Sequence, residues 1–270
     1  MTASARKVHA VLAAGVENPT LIARWRGEPA LLRDHGVEPE DVDLDALWKF
    51  AGLTIKVRHN GLRDDLPLTF RLLTIAGIEI ELFAAYAGAL AATGARLAPT
   101  TEGRTVALIA FLAGWLELDD PIHALVWDVI RHERAVAQLA KATLAPVASA
   151  PRRAGRATAR TVPRVRGELV LHEMTCDPRA VAGALHASAP RLAAIPRAPA
   201  YLCYWRADAS PAISILALDA LGYYVLSRID GRATAAAVHR ALGGTGRTSP
   251  GFLRALDQLA TLGVIGLGAP

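Results

Sequence analysis

Through the first 143 residues, apolar side chains recur at three- and four-residue intervals. The polar positions between them mark out helices over residues 5–14, 21–33, 44–59, 61–73, 78–92, 104–116 and 121–144. One stripe comprises Leu108, Ile109, Phe111, Leu112, Trp115 and Leu116; another comprises Leu82, Phe83, Tyr86 and Leu90. Pro121 opens the last helix, and Asp119 and Asp120 just before it suit the positive end of the helix dipole. Its buried face is read as Ile122, Val126, Val129, Ile130, Val136 and Ala140, and Glu133 falls on the same stripe. An unpaired buried carboxylate costs several kcal/mol, so an internal ion pair of Glu133 with Arg58 or Arg63 is expected, ahead of a catalytic acid or a subunit contact.

The pattern changes beyond residue 166. Residues 168–174 and 201–206 read as strands; in the latter Tyr201, Cys203 and Trp205 alternate with Leu202, Tyr204 and Arg206. Asp177-Pro178 starts a short helix through Val181, Leu185 and Ala189. A strand over 212–216 follows, then a helix with Leu218, Leu221, Gly222, Val225 and Ile229 on one side, closed by the turn Asp230-Gly231. Thr234 caps a second helix that buries Val238 and Leu242 and stops at Gly243-Gly244. Ser249 and Pro250 start a third, lined by Leu253, Leu256, Leu259 and Leu262, and Gly263 ends it before a strand over 264–267. Three short helices closed by a strand read as a winged helix-turn-helix over 211–267.

Residues 144–166, with Pro146, Pro151 and Pro163 among Ala, Ser, Thr and Arg, show no apolar period and read as a linker. The expected fold is therefore α+β and mainly helical. A helical domain spans 1–143, the linker 144–166, and the winged-helix domain 167–270.

Charge changes this picture only locally. The formal net charge is +5, but Arg152, Arg153, Arg156, Arg160, Arg164 and Arg166 contribute +6 within one acid-free stretch, leaving 5 − 6 = −1 for the rest. A DNA reader needs several cations on its inserted helix, whereas between Pro250 and Leu262 there is only Arg254, offset by Asp257. No nucleic-acid partner is expected. Arg6-Lys7 precede only a short apolar run broken by Glu17-Asn18-Pro19, which is no secretory signal, and a cytoplasmic location follows. Residues 72–92 are apolar enough to suggest a membrane span, but Glu79 and Glu81 within them favour packing against other helices.

Chemistry-bearing clusters are scarce. Cys176 and Cys203 are too few for a disulfide scaffold; a reduced pair is the default, with a link between them left open. His172 and Cys176 lie four apart without a second ligand pair, which gives metal binding little support. A Gly-rich phosphate loop and a nucleophile elbow are missing from the sequence, so catalysis by this chain and a cofactor of its own are not expected.

Residues 218–265 resemble the PqqD-like recognition domains of ribosomal-peptide maturation systems. In those a leader peptide adds as a strand to a sheet edge and packs along the third helix. The resemblance implies a peptide site of Ile213, Ser214, Ile215 and Leu216 on the strand, with Ile213 and Ile215 on one face and Ser214 and Leu216 on the other, and Arg254 and Asp257 on the helix. The strand 201–206 is the other edge considered. The helix at 177–189 departs from that family, which has only brief turns there.

The helical half carries Val57-Arg58-His59-Asn60, then Leu62, Leu66, Phe70, Leu73, Phe83, Tyr86 and Phe111-Leu112, and finally Arg131-His132-Glu133-Arg134-Ala135. In this order the residues resemble the N-terminal domain of the partner subunits of multinuclear non-heme iron oxidative enzymes, as in methanobactin and thiaglutamate biosynthesis. Val57 stands where that family has Tyr and His132 where it has Leu. The resemblance implies a non-catalytic subunit that presents a ribosomal precursor peptide to a barrel-type iron enzyme. Iron then belongs to the partner, and Arg58, Asn60 and Glu133 serve the interface or the internal structure. The alternative is a winged-helix transcriptional regulator with a helical sensor domain.

Overall fold

The computed structural model describes residues 3–142, 155–207 and 210–268. Among the described residues helices dominate, and two small antiparallel sheets complete an α+β fold. The chain forms two compact units: Met1–Ile130 with Ala184–Leu192, and Arg131–Gly183 with Ala193–Pro270.

The first unit holds α1 (Ala3–Glu17), α2 (Pro19–Gly27), α3 (Leu44–Arg58), α4 (Leu62–Asp65), α5 (Pro67–Ala76), α6 (Glu79–Thr93), α7 (Thr101–Trp115) and the first half of α8 (Pro121–Lys141). Capping side chains set several of their starts. Asp43 accepts the Ala46 amide at 2.9 Å, Thr100 the Gly103 amide at 3.1 Å, and Asp120 the Ile122 and His123 amides at 2.7 and 3.0 Å. Two expected helices are broken by proline. Residues 21–33 divide into α2 and a 3₁₀ helix, Pro29–His35, because Pro29 has no amide to donate and Glu28 turns out of helical geometry. Residues 61–73 divide likewise at Leu66-Pro67.

Val11, Ile22, Trp25, Leu32, Val37, Val42, Leu47 and Ala51 form one core of this unit. Gly52 lets α3 and α6 touch backbone to backbone, since a Cβ there would lie 2.5 Å from the Ile80 carbonyl oxygen. Glu79, at the start of α6, is buried and held by Lys56 at 2.8 Å, by the Arg63 guanidinium and by the Thr74 hydroxyl at 2.8 Å. Among the described residues no single helix is long and apolar enough to cross a membrane. The apolar stretch expected as packing helices is α5 and α6, bent through 108°, with Leu72, Leu73, Leu82 and Phe83 fully buried.

The second unit begins inside α8. Ala135 and Leu139 are buried there, whereas Ala140, expected inside, is exposed and Ile122 and Val136 are half-buried. The unit continues with β1 (Val162–Val165), β2 (Glu168–Met174), α9 (Pro178–His186), β3 (Ala200–Arg206), β4 (Ile213–Leu218), α10 (Ala220–Ser227), α11 (Ala235–Ala241), α12 (Pro250–Thr261) and β5 (Ile265–Gly268).

The stretch read as a linker is only partly described, residues 143–154 lying outside the described ones. From Ala157 onward it is built into the unit. Thr161 and Ala159 carbonyls accept the Ala235 and Ala236 amides at 2.7 and 3.0 Å, which satisfies the free N-terminus of α11, and Val162–Val165 pairs with β5. A four-residue strand with Pro163 in it carries no alternation long enough to read.

The larger sheet has the order β2-β3-β4, antiparallel throughout. One face, with Cys203, Leu216 and Leu218, packs on Val225, Leu226, Phe252, Leu256 and Leu259 of α10 and α12. The other, with Leu202, Tyr204, Ile213 and Ile215, packs on Ala135 and Leu139 of α8.

Arg206 at the end of β3 closes α8, donating from Nη1 to the carbonyls of Leu139, Ala140 and Ala142 at 2.6, 3.2 and 3.0 Å. A cation on the last carbonyls also complements the helix dipole. Arg206→Met is expected to lower stability by about 1.5–3 kcal/mol, the range for hydrogen bonds to a charged group, read from urea unfolding. An unchanged midpoint would show that the cap does not contribute.

Candidate functional site

β3 is the central strand: it pairs with β2 on one side and β4 on the other, so its backbone offers no edge. The expectation of residues 201–206 as the alternative edge is therefore corrected. Of this sheet's two edges, β2 takes a side-chain contact from α8, Arg131 Nη1 donating to the Glu173 carbonyl at 2.8 Å. Among the described residues no strand pairs with the outer side of β4. Its free amides and carbonyls are what an extended ligand would need.

Ile213, Ser214, Ile215 and Leu216 lie on this edge strand as expected, and all four are half-buried. The two faces differ from the expectation that one would be left to flank a ligand. Ile213 and Ile215 pack toward α8, while Leu216 packs toward α10 and α12, so both faces are occupied and the edge itself is what remains open.

At the C-terminal end of β4 a cleft of about 400 Å³ opens between the strand, the start of α10 and α12. Ala217, Leu218, Gly222, Ala255, Leu259 and Leu262 make it largely apolar, with Asp219, Gln258 and Thr261 at its polar points. Asp219 is already used, since its Oδ1 accepts the Gly222 amide at 2.7 Å and caps α10. Such a cleft suits an uncharged side chain beside a strand whose backbone is hydrogen-bonded to the edge. At the same end of β4, where Leu218 lies opposite Tyr201, the rings of Tyr201, Tyr223 and Tyr224 pack with centroids 5.2–5.9 Å apart.

Arg254 and Asp257 separate. Arg254 is exposed on α12, one turn before Gln258, whereas Asp257 Oδ1 accepts the Ala157 amide at 2.6 Å and ties down the segment before β1. Several cleft residues escaped sequence reading. Leu218 reads as the first residue of a helical stripe but ends β4, and Leu262 reads as core but is 50 % exposed. The available signal was Asp219, an N-cap residue three before the amide it accepts.

The motif residues of the other resemblance fall in both units. Arg58 ends α3, and its side chain lies outside the described part of the structure. Asn60 is exposed just beyond it, and His59 is buried against Phe83 and Tyr86, with Nδ1 2.9 Å from the Ile55 carbonyl. Arg63, one of the two cations expected near Glu133, is bound to Glu79 and lies over the Phe70 ring. Glu133 is buried on α8 as expected. Its neighbours fasten α8 to the sheet: His132 Nδ1 lies 2.9 Å from the buried Tyr204 hydroxyl, and Arg131 Nη2 3.2 Å from His172 Nδ1.

Burial first, then the charges of Arg131 and Arg134, holds the His172 imidazole down to about 4 from its ordinary 6.5. Burial also lowers His132, against the opposing pull of Asp177. The folded state therefore binds fewer protons than the unfolded state between these values. Stability present above pH 6.5 is expected to fall as the pH drops toward 4. Urea midpoints measured across this range should converge for wild type and His172→Asn at low pH; parallel curves would refute the assignment.

Cys176 and Cys203 are both buried and form no disulfide, and burial pushes Cys203 up to about 12, which leaves it an unreactive core residue. Among the described residues no three His, Cys, Asp or Glu side chains gather where they could hold a metal ion. No protein-family model matches this chain, and no curated protein matches it.

Proposed function

We propose that the second unit is a winged-helix, PqqD-like module that binds the leader of a ribosomal precursor peptide, and that the chain is the non-catalytic partner of an iron-dependent, barrel-type peptide-modifying enzyme. The observation that carries the first part is the free edge of β4 running into an apolar cleft beside α12. A peptide strand gains affinity from main-chain bonds along such an edge and selectivity from alternate side chains entering the cleft. The composition of α12 also supports a peptide over DNA, because Arg254 is its only cation. The docking role of the helical unit rests on the motif resemblance. Holding the leader on one subunit while the other acts makes delivery intramolecular, at effective concentrations of about millimolar for short tethers.

The test uses the N-terminal half of any short precursor-like peptide that a neighbouring gene encodes, labelled for fluorescence anisotropy. Leu262→Glu puts a charge at the cleft mouth, and Gln258→Trp fills it. Each is expected to weaken binding at least about tenfold, or about 1.4 kcal/mol, with an unchanged circular dichroism spectrum. Folded variants that bind the leader like wild type would reject the cleft. Tight binding of nonspecific DNA with a steep salt dependence would favour the regulator reading.

A further inference from the structure

We infer that α3 carries a docking seam for an acidic amphipathic helix of another protein, because its solvent side presents apolar residues at coiled-coil spacing with lysines along one flank. The inference does not depend on the peptide-binding reading. On α3, Ala46, Phe50, Leu53 and Val57 follow one another at intervals of four, three and four, and all are exposed. Phe50, Leu53 and Val57 are 52 %, 42 % and 60 % exposed, and Ile80 of α6, beside Gly52, adds a fourth apolar side chain at 37 %. The exposed Val106 and Leu118 form no comparable stripe with one another, since they lie on and beyond α7.

The opposite side of α3 is fixed. Leu47, Ala51 and Ile55 are buried and Gly52 is pressed against α6, so the helix cannot rotate its stripe inward. An average spacing of 3.5 residues is what keeps two helices in contact along a shared seam. The seam runs from Ala46 to Val57, about 18 Å at 1.5 Å per residue, long enough for one helix of about three turns.

Charge selects the occupant. Lys49 and Lys56, seven apart, lie on one flank of the stripe, Lys49 exposed and Lys56 shared with Glu79. The only acid on α3, Asp45, is neutralised by Arg26 at 2.9 Å. Glu79 meets Lys56 and Arg63 together, one negative charge against two positive. A helix with Glu or Asp at its own flanking positions is complementary to this arrangement. A second copy of α3 would bring a like-charged flank, which disfavours self-pairing.

The experiment uses the full chain and two labelled 21-residue helical peptides. Both have Leu at the heptad core positions on an Ala background; one has Glu and the other Lys at the flanking positions. The Glu peptide is expected to bind, and the Lys peptide to bind at least tenfold more weakly, with the difference shrinking in 0.5 M salt. Leu53→Asp should abolish binding, Lys49→Glu should narrow the preference, and Val106→Asp should change nothing, circular dichroism confirming that each is folded. Equal binding of the two peptides, binding of neither, or wild-type affinity in folded Leu53→Asp would overturn the proposal. So would light scattering that finds a dimer dissociated by Leu53→Asp, since a second copy would then cover the seam.

Discussion

Lys56→Met combined with Arg63→Met is expected to cost about 3–5 kcal/mol of folding stability, the range for a buried charge stripped of its partners. The Glu79 side chain is only 4 % exposed, and its oxygens are met by Lys56, by Arg63 and by the Thr74 hydroxyl. With both cations gone, one neutral hydroxyl remains for a carboxylate that water scarcely reaches. Each single substitution should cost much less than half of the pair's effect, because the remaining cation still compensates Glu79; the two losses are coupled rather than additive. Adding Glu79→Gln to the double variant removes the charge and should restore a large part of the stability. Urea unfolding of the four variants measures this. A double variant less than about 1 kcal/mol below wild type would mean the carboxylate is solvated or otherwise compensated.

The same carboxylate shows what can be read from a sequence and what cannot. Glu79 and Glu81 inside an apolar stretch were sufficient to favour packing against other helices over a membrane span, and that inference needed no partner. Naming the partner needed the fold, because Lys56 and Arg63 lie on α3 and α4 and come together at Glu79 only through packing between helices. Local signals carried far: Asp120, Thr234, Ser249 and the turn at Asp230-Gly231 each act through amides within three residues, and all form the bonds their positions imply.

The candidate site divides in the same way. The alternation in 212–216 identifies a strand and Ser249-Pro250 identifies the start of a helix, so the two walls of the cleft were legible. Their meeting was not, because β4 ends 32 residues before α12 begins, and β2 pairs with β3 across 26–38 residues of sequence, beyond any local pattern. Asp257 looked like a charge facing a ligand beside Arg254. It is a clamp on Ala157, exactly one hundred positions away. Leu262 completes a leucine series at helical spacing, yet α12 ends at Thr261 and the side chain emerges at the cleft. The border between the two units was hidden for a different reason. α8 is one continuous helix by every local criterion, and its second half changes neighbours from helices to a sheet without any change in period.

Gly52→Ala is expected to destabilise the protein, the opposite of what helix propensity alone predicts. In a solvated helix interior the change would stabilise by about 1 kcal/mol, because glycine gives up more backbone freedom on folding than alanine does. Here the added Cβ would sit 2.5 Å from the Ile80 carbonyl oxygen, 2.9 Å from the Ala84 amide nitrogen and 3.0 Å from the Ala84 Cβ. Two of these three atoms belong to the backbone of α6, so no side-chain rotation relieves the contact and the helices must move apart. That motion loosens Leu82, Phe83 and Ala84, all fully buried. Overpacking of this kind costs about 1–3 kcal/mol, which exceeds the propensity gain over most of its range. Gly52→Val, with two further methyl groups and a poorer helix former, should reach about 3 kcal/mol or more. Thermal unfolding of the two variants supplies the measurement, and the sign of the alanine effect decides it: a raised melting temperature for Gly52→Ala would show that α3 and α6 do not approach this closely.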